Sequence, residues 1–235
     1  MSAAQRRLWP ELRASLHLGF VLYGGTAISL HLGHRRSVDF DFFRHERLDE
    51  KAIRALFPFM RRAATLQDAP DTLVVLVPAP GRRSVKVSFF GGLTFGRVGD
   101  PLLTADGVLE VASLDDLMAH KLKVILQRPE RKDYEDVAAM IRAGCSVAHG
   151  LAAACLFFGR AFQPAESLKA MVYFRNGNLP GLSRGDRNTL IAAAAATGEL
   201  PAVSLRSKRL AIAVAGGADS GGLALQARKR RRNRT

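Results

Sequence analysis

Two acidic residues separated by one position, Asp39 and Asp41, lie in the run Val38-Asp39-Phe40-Asp41-Phe42. On an extended strand side chains alternate between faces, so the two carboxylates share one side while Val38, Phe40 and Phe42 take the other. Carboxylates about 5 to 7 Å apart, roughly two strand rises, suit Mg²⁺. That hard cation is commonly held by one or two carboxylates together with substrate phosphates. Upstream stand Gly24, Gly25 and Thr26 at the expected opening of a helix. Glycines at such a place let a phosphate approach backbone N–H groups, and the helix N-terminus favours negative charge. Arg35 and Ser37, just before the acidic run, add a cation and a hydroxyl that can touch phosphate oxygens. Either feature alone is weak, since Gly-Gly before a helix and Asp-x-Asp on a solvated strand are both common. Combined in one strand-turn-helix-strand unit, they suit nucleotidyl transfer.

A second constellation lies downstream. Lys121 and Arg128, seven positions apart, fall on nearly the same face of an expected helix, close to two full turns. Pro129 breaks that helix, and a new one begins near Arg131 with Asp133 and Asp136 on a shared face and Val137, Met140 and Ile141 on its apolar side. Spacing alone favours a bland account: a solvated lysine, with the two aspartates capping the helix and pairing with Arg128 or Lys132.

The elements that must position these groups can be read from periodicity. Residues 3–17 carry Leu8, Leu12 and Leu16 at spacing four, predicting one helix with a buried stripe. A strand is expected over 20–23, a helix from Thr26 to near Gly33, and a second strand over 38–42. Asp49 can cap a helix that Pro58 ends. Strands follow over 63–67, 73–77 and 84–90, with a turn at 78–81. Lys86 and Ser88 share one face of the last of these. Gly91, Gly92, Gly96 and Gly99 suggest a flexible link to 108–111, and Ser113 opens a helix through about Gln127. Beyond residue 145 helices are predicted over 147–160, 164–173, 184–196 and 206–214. The expected fold is α+β, a mixed sheet flanked by helices with a helical C-terminal half. It divides into a 1–112 core, a 113–215 helical part and a disordered basic tail over 216–235.

The motifs Gly24-Gly25-Thr26-Ala27, His34-Arg35-Arg36-Ser37-Val38-Asp39-Phe40-Asp41-Phe42-Phe43, Lys121-Leu122, Arg128 and Lys132-Asp133-Tyr134-x-Asp136 resemble the AbiEii/AbiGii group, the nucleotidyltransferase toxins of abortive-infection toxin–antitoxin pairs. The likeness covers about residues 18 to 205. It implies a nucleotidyltransferase-like fold that uses a nucleoside triphosphate and Mg²⁺, with tRNA as the acceptor of some members and an antitoxin protein as partner. The implied catalytic residues are Asp39, Asp41, Lys121 and Asp133, with Asp39 and Asp41 also holding the metal and Asp133 activating the acceptor hydroxyl. The nucleotide would be bound by Gly24, Gly25, Thr26, Arg35, Ser37 and Arg128. One departure stands out: where many nucleotidyltransferases carry a third carboxylate, this chain has Ser88. That leaves one or two metal ions open, and with them a catalytically inactive binding module.

Composition bounds the rest. The chain has 235 residues, 48% of them hydrophobic, enough for a sizeable core. Its net charge of +14 points to a polyanionic partner. Six of those charges lie in the last eight residues, leaving a body that is still basic at +8. This favours an RNA acceptor over the small cationic acceptor of an antibiotic-modifying enzyme. The two cysteines, Cys145 and Cys155, suggest neither a disulfide framework nor a zinc site. His31, His34 and His120 lack a third ligand at suitable spacing, and Tyr173 with Phe174 could stack a base or join the core. No apolar run is long enough to cross a membrane and no signal peptide is visible, so the expected location is cytoplasmic.

Overall fold

The computed structural model describes residues 1–81 and 83–212. In chain order the elements are α1 (Ala3–Leu8), α2 (Ala14–His17), β1 (Val21–Tyr23), α3 (Gly24–Leu32), β2 (Phe40–Phe43), α4 (Glu50–Leu56), β3 (Ala64–Ala69), β4 (Thr72–Ala79) and β5 (Arg83–Phe90). There follow β6 (Leu102–Leu103), β7 (Glu110–Val111), α5 (Leu114–Val124), α6 (Arg131–Arg142), α7 (Val147–Phe158), α8 (Pro164–Val172) and α9 (Arg184–Ala195). The architecture is α+β, as expected.

Among the described residues the strands form one mixed sheet in the order β3-β4-β5-β2-β1-β7-β6. The β3-β4-β5 meander is antiparallel, because short turns can join only antiparallel neighbours. β2 then runs parallel to β5 and antiparallel to β1. The register of these three strands sets the position of the acidic residue: Asp41 lies opposite Tyr23 on one side and Ser88 on the other.

Alternation on β2 sends Phe40 and Phe42 inward, and both are fully buried. They join Phe20, Phe57 and Phe89 in an aromatic core, with Phe42 and Phe89 stacked at 5.6 Å between centroids. The side of β2 opposite this core carries Asp41. The helical half packs through α5, whose N-cap Ser113 accepts a hydrogen bond from the Asp116 N–H, as the sequence predicts. α6 buries Val137 and Met140 completely.

Several boundaries differ from expectation for identifiable reasons. The N-terminal helix is broken into α1 and α2 by a 3₁₀ turn over Trp9–Arg13, because Pro10 has no N–H to continue an α-helical ladder. α3 opens at Gly24, not Thr26, and closes on Gly33 with φ +63°. β2 begins at Phe40, so Val38 and Asp39 precede the strand and Val38 is exposed. β4 extends through Pro78 and Ala79, moving the turn to its far end. α5 stops at Val124, short of Gln127. The helix expected over 206–214 is absent through residue 212: Arg206 and Ser207 instead donate backbone hydrogen bonds to the Arg97 carbonyl. This also pins the segment expected to be a flexible link. The basic tail expected over 216–235 lies outside the described residues, as do 213 and 214. Cys145 and Cys155 are free and half-buried. No helix among the described residues is long and apolar enough to cross a membrane.

Phe42→Ala should cost about 3–5 kcal/mol of stability, the range for truncating a buried aromatic. Urea unfolding followed by circular dichroism checks this. A loss below about 1 kcal/mol would mean that this core does not hold β2 in place.

Candidate active site

At the end of β1 the chain turns directly into α3 through Gly24, whose φ of +72° is disfavoured for any residue with a side chain. A Cβ on Gly24 would also sit 2.5 Å from Asp41 Oδ2. On Gly25 it would collide with the Arg35 guanidinium and crowd Ser37 Oγ at 3.2 Å. The two glycines thus let Asp41, Arg35 and Ser37 close over the start of α3. Thr26 is 2% exposed, and its hydroxyl donates to the Asp39 carbonyl. The hydroxyl expected to seat a phosphate is therefore engaged in fixing the backbone that leads into β2.

Gly25, Arg35, Ser37, Asp39, Asp41, Lys121 and Arg128 all line one cleft of about 580 Å³. Arg36, Lys86, Lys132 and Ser88 complete its polar wall. Gly24 borders an adjoining cavity of about 330 Å³ that shares Gly25, Asp41, Phe90, Lys121 and Arg128 with the first. Six cationic side chains and two carboxylates therefore face the larger cleft. Lys86 Nζ lies 3.3 Å from Asp39 Oδ2. Burial raises the Asp41 carboxyl above its ordinary range, and the nearby Asp39 charge adds to that, against the lowering effect of Ser88, Lys86 and Lys121.

Beneath this cleft lies a buried ionic hub. Asp133 and Asp136 are both fully buried. Lys121 Nζ lies 2.5 Å from Asp133 Oδ1 and 2.7 Å from Asp136 Oδ2. Arg128 Nε donates to Asp133 Oδ2 at 2.8 Å. Arg35 grips Asp136 with two donors, Nε at 2.6 Å and a terminal nitrogen at 2.8 Å, the fork geometry that carboxylates favour. His34 Nε2 adds a contact to Asp136 at 2.7 Å. Burial alone would raise the Asp136 carboxyl, but hydrogen bonds from His34 and Arg35 and the Lys121 charge hold it well below the usual carboxylate range.

This geometry is at odds with Asp133 as the group that activates an acceptor hydroxyl. Its side chain has no exposed surface and both oxygens are occupied by cations, so it serves to hold Lys121 and Arg128. Asp136, read from spacing only as sharing the capping and pairing of Asp133, is the more connected member, with His34, Arg35 and Lys121 around it. The signal for it was present in its three-residue offset from Asp133. His34 takes a hydrogen-bonded role, and so does His31, whose Nε2 lies 2.8 Å from the Ala112 carbonyl. His120 instead packs among Tyr23, Phe43 and Phe95. Tyr173 is half exposed and lines, with Tyr134 and Arg128, a further cavity that does not include Asp39 or Asp41.

Among the described residues no cluster of three or more His, Cys, Asp or Glu could hold a metal by itself. Asp39 and Asp41 are hard oxygen donors facing one cleft, a set that fits a cation drawing its remaining ligands from water and phosphate.

A family model described as nucleotidyl transferase AbiEii toxin, Type IV TA system, matches residues 7–203. An uncharacterized protein of Aquifex aeolicus (strain VF5) is 31% identical over 125 residues, 52% of this chain and 58% of that protein. The matched region thus spans little more than half of that relative. The crystal structure of an antigenic nucleotidyltransferase-like protein from Paracoccidioides brasiliensis gives a TM-score of 0.46 at 18% identity, covering 80% of this chain and 94% of that one.

Asp136→Asn should destabilise the protein by about 3–5 kcal/mol near neutral pH, because it leaves buried cations without their counter-charge. The folded-state pKa of Asp136 lies below its ordinary 3.8. Its contribution is therefore complete above that value and is lost as pH falls through the folded one. Urea unfolding of both proteins should show the gap narrowing below about pH 4; a gap that is constant or widens with acid contradicts the assignment.

Proposed function

The chain belongs to the AbiEii nucleotidyl transferase toxin family, and from that membership we propose that it transfers a nucleoside monophosphate from a nucleoside triphosphate to a hydroxyl of RNA, with tRNA as the leading candidate. The observation that carries this reading is the carboxylate pair Asp39 and Asp41 facing the glycine-opened N-terminus of α3 across a cleft walled by lysine and arginine.

In this reading the backbone N–H groups at Gly25 and the start of α3 receive the phosphates together with Arg35 and Ser37, which pack over that turn. Lys121 presents its third N–H donor to them, the other two being engaged by Asp133 and Asp136. Arg128, half exposed, neutralises charge that develops toward the leaving pyrophosphate. Asp39 and Asp41 would hold Mg²⁺, which when bound would neutralise phosphate charge and polarise the phosphorus under attack. The acceptor oxygen bonds to the α-phosphorus, the bond from that phosphorus to the α–β bridging oxygen breaks, and pyrophosphate departs. The hydroxyl proton passes to water in the open cleft. Arg35 and Ser37 line the same wall and orient the phosphate chain. The cationic rim suits a polyanionic acceptor better than a cationic antibiotic. Membership of a toxin–antitoxin family also implies an antitoxin partner.

One observation favours a second reading. Ser88 faces Asp41 in register where a third carboxylate would complete a metal site, which is what a module that binds nucleotide without turnover would retain.

Purified protein incubated with each labelled nucleoside triphosphate, total RNA and Mg²⁺ should label RNA. Asp41→Asn should lower the rate by roughly 10²-fold or more, the scale on which charge-stabilising groups act, and chelation of the metal should stop labelling. Nucleotide binding with no labelling would select the binding module, and equal labelling by the variant would remove Asp41 from the mechanism.

A further inference from the structure

The cavity of about 330 Å³ beside the carboxylate pair differs in character from the cleft it joins. Both are bordered by Gly25, Asp41, Phe90, Lys121 and Arg128, but the smaller one continues onto Tyr23, Phe43, Leu117, His120 and Val124. An aliphatic and aromatic wall offers nothing to a phosphate, which would lose hydration there without gaining partners. A flat aromatic ligand does gain there, through stacking and exclusion of water.

Among the described residues His120 supplies the only imidazole on that wall. Its ring lies 5.8 Å from Phe43 and 4.6 Å from Phe95, and its Nε2 is buried with no hydrogen-bond partner. Buried polar atoms in folded proteins are nearly always paired. An orphan in the wall of a cavity next to a proposed nucleotide site is therefore a candidate for pairing with a ligand. Burial holds the imidazole pKa down to about 3, so the ring is neutral and presents one N–H donor and one lone pair. A nucleoside triphosphate whose phosphates occupy the shared Gly25–Lys121–Arg128 border would extend its other end into this cavity.

We propose that this cavity is the nucleobase site of the nucleoside triphosphate, with the base against the Phe43 and Phe90 rings and read by a hydrogen bond to His120. The assignment rests on the nucleotide reading above. It makes His120 a specificity-determining residue that takes no part in the chemistry. A site built to hydrogen-bond a ligand group rejects analogues lacking that group far more strongly than a purely apolar pocket can.

Isothermal titration of the full chain with each of the four nucleoside triphosphates, and with inorganic tripolyphosphate as the baseless probe, tests this. The wild-type protein should bind at least one nucleoside triphosphate roughly tenfold or more tightly than tripolyphosphate and should separate the four bases by a similar factor. His120→Phe keeps a ring in the cluster but removes both nitrogens, and should reduce the separation between bases to about twofold, leaving tripolyphosphate binding unchanged. Val124→Trp, filling the cavity from α5, should weaken all four nucleotides toward the tripolyphosphate value. Equal wild-type affinity for tripolyphosphate and all four nucleotides would overturn the base site while leaving the phosphate site standing, and it needs no variant. Base discrimination that survives both substitutions would also overturn it. Binding of neither tripolyphosphate nor any nucleotide would remove the nucleotide reading itself, and this proposal with it.

Discussion

Burial of the Asp133 and Asp136 carboxylates is the constraint on which the site depends. Two charges removed from water cannot persist without compensation, and compensation comes from three separate segments: Arg35 before β2, Lys121 on α5 and Arg128 after α5. Each of these cations is therefore fixed in place by an electrostatic demand originating on α6. Three permanent cations against two carboxylates leave an excess of positive charge. That excess faces the cleft, since Lys121 and Arg128 line it. The hub thus links the helical half to the strand-and-glycine unit and sets the sign of the potential between them.

The other half of the site is set by packing. Phe40 and Phe42 anchor β2 in the aromatic core, and strand alternation then leaves Asp41 no choice of face. Pairing with β1 brings the same residue beside Gly24, where the lack of a Cβ allows Asp41 Oδ2 its close approach. The Thr26 hydroxyl ties the Asp39 backbone to α3, so the two carboxylates are placed by different means: one by the strand ladder, the other by a side-chain clamp on the preceding loop. Burial by hydrophobic packing and compensation by charge converge on a few residues.

Much of this was legible in the sequence because it is local. The β2 pattern, the glycines, the Ser113 cap and the break at Pro129 all declare themselves within a few residues. What was not legible is long-range or chain-breaking. Spacing placed Asp133 and Asp136 on one helix face but could not show that they point inward, since a solvated face and a buried ionic face have the same period. Hence spacing read both aspartates as capping the helix and pairing with Arg128 or Lys132, and only the family resemblance gave Asp133 a role with the acceptor hydroxyl. Residues 206 and 207 read as helix because their alternative, backbone pairing to Arg97 more than a hundred positions away, leaves no local trace. His120 carried no metal-like spacing, and its aromatic surroundings come from Tyr23, Phe43, Phe95 and Phe157, which are scattered along the chain.

The serine at position 88 gains a physical rationale from this charge distribution. Asp41 already lies where burial and the Asp39 charge oppose its ionisation, and Ser88 faces it directly across the β2–β5 pairing. A carboxylate at that position would put a third negative charge into the most desolvated part of the cleft and raise the cost of ionising all three. The hydroxyl instead favours the ionised form of Asp41, as does Lys86, two positions along the same strand. Lys86 also pairs with Asp39, so one lysine stabilises both carboxylates from the β5 side. The strand that would otherwise supply a third acidic group supplies a donor and a cation instead. It thereby sets a hydroxyl and a cation, in place of a further negative charge, against the two carboxylates of a partly buried cleft.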